Sequence, residues 1–374
     1  MRSRGQGWRV HARRSGAGAA NRYARASIVP SAPSPQSADP DGAPLRGAVL
    51  GLGMMGRNHA RLLQSSPRMR LAGAVDAAGD RHNAIHDPSL VHASLEALLA
   101  TTLPDFAIVA LPTEEHAAAV HRLAELGVHV LVEKPVASSS EEARSIIEVC
   151  ERNGIRAGVG HVERFNPSLR ELRRRIGAGE LGEVFVVSTQ RVGPFPDRVR
   201  DVGVVKDLAT HDLDLVRWLG GEPIDSVAAQ TSPRMGRSQE DIVFITGRLR
   251  GTIVFNCVVD WLTPTKIRQT RVLGETGMLV ADTLTADLTF YENGTIISEW
   301  EGVRTLRGVS EGNAIRYALV QREPLLVELE QFCDFVAGVP GAEVVTLAEG
   351  LETVAYAEAV LRSAQSGATV KVAQ

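Results

Sequence analysis

The stretch that most constrains this 374-residue chain is Gly51-Leu52-Gly53-Met54-Met55-Gly56. It follows a short apolar run of strand length, residues 47–50, and opens a helical stretch that ends near Ser65. Placed between a strand and a helix, G-x-G-x-x-G has a defined backbone chemistry. Gly51 permits a tight turn, Gly53 lets a pyrophosphate approach where a Cβ would intrude, and Gly56 lets helix and strand pack. The free N–H groups at the helix start, around Met54 and Met55, meet the phosphates. The next apolar run, 71–75, ends in Asp76, where a carboxylate hydrogen-bonds an adenosine ribose. An acid there repels a 2′-phosphate, and neither Ala77 nor Ala78 supplies a cation. The pattern predicts NAD rather than NADP, with Arg81 the nearby residue that pulls the other way.

The alternation continues with strands at 105–110, 128–132 and 156–160 and helices at 114–126 and 139–153. Ser138 with Glu141, or Ser139 with Glu142, has the spacing of a capping box at the start of the latter helix. Strands alternating with helices over about 115 residues predict an α/β fold with a parallel, doubly wound sheet. Ligands of such a sheet lie beyond the carboxyl ends of its strands. Those ends carry the glycine turn, Asp76, Leu111, Pro112, Thr113 with His116 after it, Glu133, Lys134, Pro135 and His161.

The second half reads differently. A strand at 183–189 and a helix at 208–219 precede strand-like stretches near 224–231, 241–249, 251–259, 268–274, 277–281 and 287–291. Asn293-Gly294 then gives a hairpin signal. Helices near 324–337 and 347–363 and a strand at 369–372 close the chain. Strands in runs suggest a mixed sheet with helices on one face. Its other face is expected to be buried against a second copy, in a homodimer or homotetramer. The division is a basic, disordered tail at 1–44, a dinucleotide-binding domain at 45–161, and a substrate-binding and oligomerisation domain at 162–374.

Composition agrees: 44% apolar and 23% charged residues is ordinary globular usage, and the length suits two domains. No window offers the roughly 18 successive apolar residues of a membrane helix. Three cysteines, Cys150, Cys257 and Cys333, are too few and too scattered for a disulfide framework or a metal cluster, and predict a reducing cytoplasm. Residues 1–38 hold seven arginines and no acid, so 41 less 7 leaves 34 basic against 44 acidic residues in the remainder. An acidic body argues against a nucleic-acid surface. The leader reads as a disordered tail, an upstream start or an organellar transit peptide.

A dinucleotide makes hydride transfer the default reaction, which needs a group to move one proton. Lys134 follows a strand end on the cofactor side, where partial desolvation lowers a lysine pKa into a useful range. Asp207 and His211 are four apart at the start of a helix, so they share a face and can pair, with Asp214 three further on. A carboxylate that orients an imidazole makes it a base for an alcohol; the alternative is a helix cap and a satisfied helix histidine.

The glycine motif, Glu133-Lys134-Pro135 and Asp207-x-x-x-His211-x-x-Asp214 together resemble those of the glucose–fructose oxidoreductase / inositol dehydrogenase / MocA family, over residues 45 to about 365. The resemblance implies an N-terminal Rossmann domain, an open-faced α/β domain whose sheet forms oligomer contacts, and a nicotinamide cofactor. The implied reaction is oxidation or reduction of a secondary alcohol on a sugar or cyclitol. It makes Lys134 and His211 the catalytic pair, with Asp207 positioning them. His211 is expected to take the alcohol proton while Lys134 hydrogen-bonds the same oxygen.

Two further segments, 161–167 and 191–205, look like those of bacterial UDP-N-acetylglucosamine 3-dehydrogenases. That likeness implies a 3-keto nucleotide sugar as product and an aminotransferase as the next enzyme. Arg164, Asn166, Arg191, Arg198 and Arg200 then become expected substrate contacts, since a pyrophosphate suits the guanidinium fork. Some of these arginines can instead pair with Glu163, Asp197 or Asp201. Lys206 adds a cation beside Asp207. The competing expectations are inositol oxidation, 3-ketosugar reduction, redox-neutral glycoside cleavage, and a sensor that binds NAD and sugar without chemistry.

Overall fold

A computed structural model of the chain describes residues 43–195, 202–236, 238–294 and 311–372. The expected tail, save its last two residues, lies outside them. Strands β1 (Leu45–Leu50), β2 (Met69–Val75), β3 (Val91–His92), β4 (Phe106–Val109), β5 (His129–Glu133) and β6 (Ala157–Gly160) form a parallel sheet in the order β3-β2-β1-β4-β5-β6. All four residues of β4 are buried, without alternation, because helices cover both faces of the sheet. On one face lie α2 (Leu95–Leu99), α3 (His116–Glu125) and α4 (Ser140–Arg152), through Leu98, Leu123 and Ile146. On the other lies α1 (Met54–Ser65), through Ala60 and Leu63. The cap of α4 is the Ser139 version: Ser139 Oγ accepts from Glu142 N, and the Glu142 carboxylate accepts from Ser138 N in place of the Ser139 N of a closed box.

A nine-stranded mixed sheet follows. Its strands are β7 (Val184–Pro194), β8 (Ile224–Ser232), β9 (Ile242–Leu249), β10 (Val254–Asp260), β11 (Leu262–Gly274), β12 (Gly277–Asp282), β13 (Asp287–Asn293), β14 (Glu311–Tyr317) and β15 (Val370–Lys371), in the order β14-β13-β12-β11-β7-β10-β9-β8-β15. The pair β7–β10 is parallel. One face is covered by α5 (Pro167–Gly177) and α6 (Thr210–Gly220), through Leu169, Leu172, Leu213 and Val216. On the opposite face Val254, Val186, Leu273, Met278 and Tyr291 are successive partners across five strands, forming one apolar row.

Three features differ from the sequence expectation. Asn293-Gly294 is not a two-residue hairpin, because Asn293 pairs with Glu311 across a longer connection. The strand β14 went unread because residues 313–316 are exposed at a sheet edge and show no apolar alternation. Helix α7 (Pro324–Ala337) packs against the first sheet, not the second, with Phe332 edge-on to Phe106 at 5.7 Å between ring centroids. The last helix, α8 (Leu347–Ser366), ties the two sheets together: Leu347 and Val354 join the core around Val136 and Val159, while Tyr356 and Val360 join the second core.

Helix α7 also buries Glu328, whose two carboxylate oxygens have no hydrogen-bond partner. Burial, reinforced by the charge of Glu133, pushes this carboxyl well above its ordinary value, so the folded chain keeps its proton to higher pH than the unfolded chain. The unfolded chain releases that proton above the ordinary carboxylate range, so stability falls as pH rises beyond it. Glu328→Leu is expected to stabilise the protein by roughly 2 kcal/mol at pH 8 and by much less at pH 4.5, read from thermal melts at both pH values. Equal shifts at the two pH values would show that Glu328 is not a titrating group.

Candidate active site

The first loop of the site is a backbone cradle. Gly51 has φ +88°, and a Cβ there would lie 2.5 Å from the carbonyl oxygen of Ala110. A Cβ on Gly56 would lie 1.8 Å from the Gly51 oxygen, so helix and turn meet as the motif requires. At Gly53, by contrast, the Cβ position is open, and the start of α1 carries no side-chain cap and no acid. Open space before uncapped N–H groups fits a pyrophosphate. Asp76 accepts from Leu52 N at 3.0 Å and Ala78 N at 2.9 Å, which sets its carboxylate at the mouth of the turn. Met54 is exposed beside it and Met55 partly buried.

These residues fit NAD. Asp76→Ala is expected to weaken NAD binding by roughly tenfold and to reduce the discrimination against NADP, measured as the ratio of the two dissociation constants. An unchanged ratio would remove Asp76 as the selecting residue.

Two of the expected cofactor contacts, His116 and Glu133, are buried. His116 is buried and bridges two strand-end loops, with Nε2 2.9 Å from Leu111 O and Nδ1 3.1 Å from Pro135 O. It therefore holds Leu111, Pro112 and Thr113 against the Lys134 loop. Glu133 is buried, with Oε1 2.8 Å from His59 Nε2 and Oε2 accepting from Lys134 N. Burial pushes the Glu133 carboxyl up, but His59 and the charge of Lys134 outweigh it and hold the group below its ordinary value.

Lys134 emerges at the end of β5, and its ammonium is not a lone desolvated group. Nζ donates to Asp207 O at 2.5 Å and lies 3.4 Å from Asp207 Oδ1. Residues Val205–Ala209 are wound as a π-helix, a form that recurs at functional sites. The turn is pinned from behind by Glu240, whose backbone and side-chain oxygens accept from Val204 N and Val205 N. Asp207 thus serves the lysine, not the imidazole: Nδ1 of His211 is buried without a partner. Burial pushes His211 well below its ordinary value, assisted by the charges of Lys134, Arg191, His161 and Arg268. A neutral imidazole, partly exposed at the cleft, is in the state needed to accept a proton.

Sequence reasoning placed His161 at a ligand-facing strand end but gave it no role. Glu133 pairs with Gly160 in the sheet, so the next residues, Lys134 and His161, leave neighbouring strands side by side. The His161 imidazole is buried, with Nδ1 3.7 Å from Asp214 Oδ2. Its position at a strand end was the available signal.

The expected arginine cleft is rearranged. Arg164 is buried and grips Asp214 with Nε at 2.9 Å and Nη2 at 2.5 Å, while Nη1 reaches Glu349 at 2.8 Å. Glu349, in turn, is pulled up by burial but drawn down to about 2 by Arg164 and by the backbone of Thr346. Arg191 is likewise buried between Asp212 and Glu163, at 2.8 and 2.7 Å. Asn166 caps α5, accepting from Ser168 N, and donates to Thr283 O. These three side chains are committed to the protein rather than presented to a substrate. Asp214 anchors Arg164 and is not a support for His211. Lys206 extends to Ser138 O. Arg198 and Arg200, with Asp197 and Asp201, lie outside the described residues.

The chain matches the family model of an oxidoreductase family with an NAD-binding Rossmann fold over residues 45–161, and the GFO/IDH/MocA C-terminal domain over residues 169–280. It is 28% identical over 329 residues to a UDP-N-acetylglucosamine 3-dehydrogenase from Acidithiobacillus ferrooxidans, covering 85% of this chain and 99% of the relative. A solved structure of that dehydrogenase superposes with a TM-score of 0.75 at 26% identity, over 86% of this chain and 98% of the other. An inositol 2-dehydrogenase from Saccharopolyspora erythraea is 30% identical over 201 residues, 52% of this chain and 59% of the relative. The fold also matches the WlbA dehydrogenase from Bordetella pertussis, solved in complex with NADH and UDP-GlcNAcA, with a TM-score of 0.72 at 23% identity over 88% of this chain and 99% of the other.

Proposed function

We propose, for a chain that belongs to the GFO/IDH/MocA family of NAD-binding oxidoreductases, that its substrate is a nucleotide-linked sugar and its reaction the oxidation of that sugar's C3 hydroxyl, with UDP-N-acetylglucosamine as the substrate and its 3-keto form as product. The observation that carries this reading is the relative of that activity, matched over 99% of its length. Bound NAD supplies the hydride acceptor. The chain's own residues do the rest. Lys134, oriented by Asp207, hydrogen-bonds the reacting oxygen. His211, kept neutral by burial and by neighbouring cations, accepts the hydroxyl proton. The glycine turn and Asp76 hold the dinucleotide against the strand ends, where Lys134 emerges.

Oxidation of a cyclitol is the second reading, supported by the inositol dehydrogenase likeness and by the commitment of Arg164 and Arg191 to buried carboxylates. UDP separates the two. A nucleotide-sugar enzyme is inhibited competitively by UDP and ignores myo-inositol; oxidation of myo-inositol without inhibition by UDP would overturn the first reading. The same proposal extends to the assembly: the row Val254, Val186, Leu273, Met278 and Tyr291 gives a second copy an apolar face to cover, as homodimer or homotetramer. A 3-keto product suits an aminotransferase as the consuming enzyme. Three free, buried cysteines support a reducing, cytoplasmic setting. Among the described residues, no helix is long and apolar enough to cross a membrane.

A further inference from the structure

Arg268, on β11, stands directly opposite Arg191 of β7 in the sheet register. Residues paired in this way share a face, so both guanidinium groups point to the side covered by α6. Like charges directly opposite one another destabilise a sheet unless something neutralises them. Asp212 and Glu163 neutralise Arg191. Arg268 has no such partner among the described residues: its Nη1 donates to the carbonyl oxygens of Val192 at 2.6 Å and Ile267 at 2.9 Å. Burial and the charge of Arg191 lower its pKa, and its own charge depresses that of His211. The group is a half-buried cation within electrostatic reach of the proposed base; Asp212, Glu163 and Asp260 act on it at longer range, and among the described residues no carboxylate is in direct contact with it.

The surroundings add a second cation. Register is lost between Leu262 and Ile267, so β11 carries extra residues beside β7, an irregularity that recurs next to active sites. It brings Lys266 alongside. A Cβ on Gly193 would crowd Lys266 Cγ at 3.1 Å and lie 3.8 Å from Arg268 Nη1, so the missing side chain lets the Lys266 stem lie over β7 beside the Arg268 guanidinium. A planar fork beside a flexible ammonium matches the oxygens of a diphosphate.

We propose that Arg268, with Lys266 beside it over Gly193, binds the diphosphate of the nucleotide-linked substrate, taking the role that the sequence assigned to Arg164 and Arg191. The inference rests on the nucleotide-sugar reading. It makes Arg268 a specificity residue: it anchors the nucleotide end while the sugar meets Lys134 and His211.

The test is calorimetric titration of UDP into the full-length protein carrying NAD, for wild type, Arg268→Met and Lys266→Met, with melting temperature as the folding control. Wild type is expected to bind UDP, and inorganic pyrophosphate to compete with it while uridine and glucuronate do not. Arg268→Met is expected to weaken UDP by roughly 10- to 100-fold, with NAD affinity unchanged. The exposed Lys266→Met, which carries little folding risk, is expected to weaken UDP by a smaller factor. UDP binding equal to wild type in both variants overturns the inference and leaves the substrate reading intact. Competition by uridine or glucuronate in place of pyrophosphate also overturns it. Failure of wild type to bind UDP at all removes the substrate reading and the inference with it.

Discussion

His211→Ala lowers turnover by roughly a hundred- to ten-thousandfold while NAD affinity stays within a few-fold of wild type. The expectation follows from where the imidazole sits. Its Nδ1 is buried without a partner, and cations surround it, so the ring is neutral at physiological pH and has a proton to gain. It touches no part of the glycine turn, so binding of the dinucleotide survives its removal. Lys134→Met is expected to be comparably severe in turnover, because it removes the hydrogen bond to the reacting oxygen. It also leaves the Asp207 carboxylate without its Lys134 contact. Asp207→Asn is the informative comparison. If Asp207 serves Lys134, as the geometry has it, the variant lowers turnover by less than Lys134→Met and leaves the His211 titration unmoved. Near-normal turnover in His211→Ala would remove that residue from the chemistry.

Asp214→Ala is expected to cost about 3–5 kcal/mol of stability, because it strands the Arg164 guanidinium in a buried site. Asp214 holds two of the three hydrogen bonds that Arg164 makes, and the pair ties the turn after β6 to α6. The double variant Arg164→Met with Asp214→Leu removes both charges and is expected to recover most of the loss, which thermal or urea unfolding measures. The same network gives acid sensitivity. Glu349 is held to about 2 when folded, so its contribution is complete above the ordinary carboxylate range and fades as pH falls towards 2. A double variant no better than the single one would show that packing, not the uncompensated charge, sets the cost.

Which of these residues the sequence revealed follows from how each one acts. Gly51, Gly53 and Gly56 work through backbone shape, and spacing alone between a strand and a helix conveys that. Lys134 and His211 were legible as strand-end and helix-start residues in a known arrangement. Spacing paired Asp207 with His211, and only the resemblance tied it to Lys134 as well, since a π turn and a contact 73 residues distant in sequence carry no local signal. Arg164 and Arg191 looked like substrate ligands because guanidinium groups gather near the cleft in sequence. Of their carboxylate partners, Glu163 was already an alternative in the sequence, whereas Asp214, Glu349 and Asp212 become visible only when the chain is folded. Arg268 was passed over for the converse reason: in a thirteen-residue strand it reads as one more surface charge, and only its register opposite Arg191 gives it meaning. The same holds for α7, whose apolar stripe announces a buried helix without saying which sheet it covers.

The central claim is that this chain moves a hydride between NAD and the sugar of a UDP-linked substrate. The most direct measurement mixes the purified protein with NAD and UDP-N-acetylglucosamine and follows the NADH absorbance band, first alone and then with an aminotransferase and amino donor present. The account predicts a rise that grows as the aminotransferase draws off the ketone. No rise under either condition, with NAD binding intact, would contradict it.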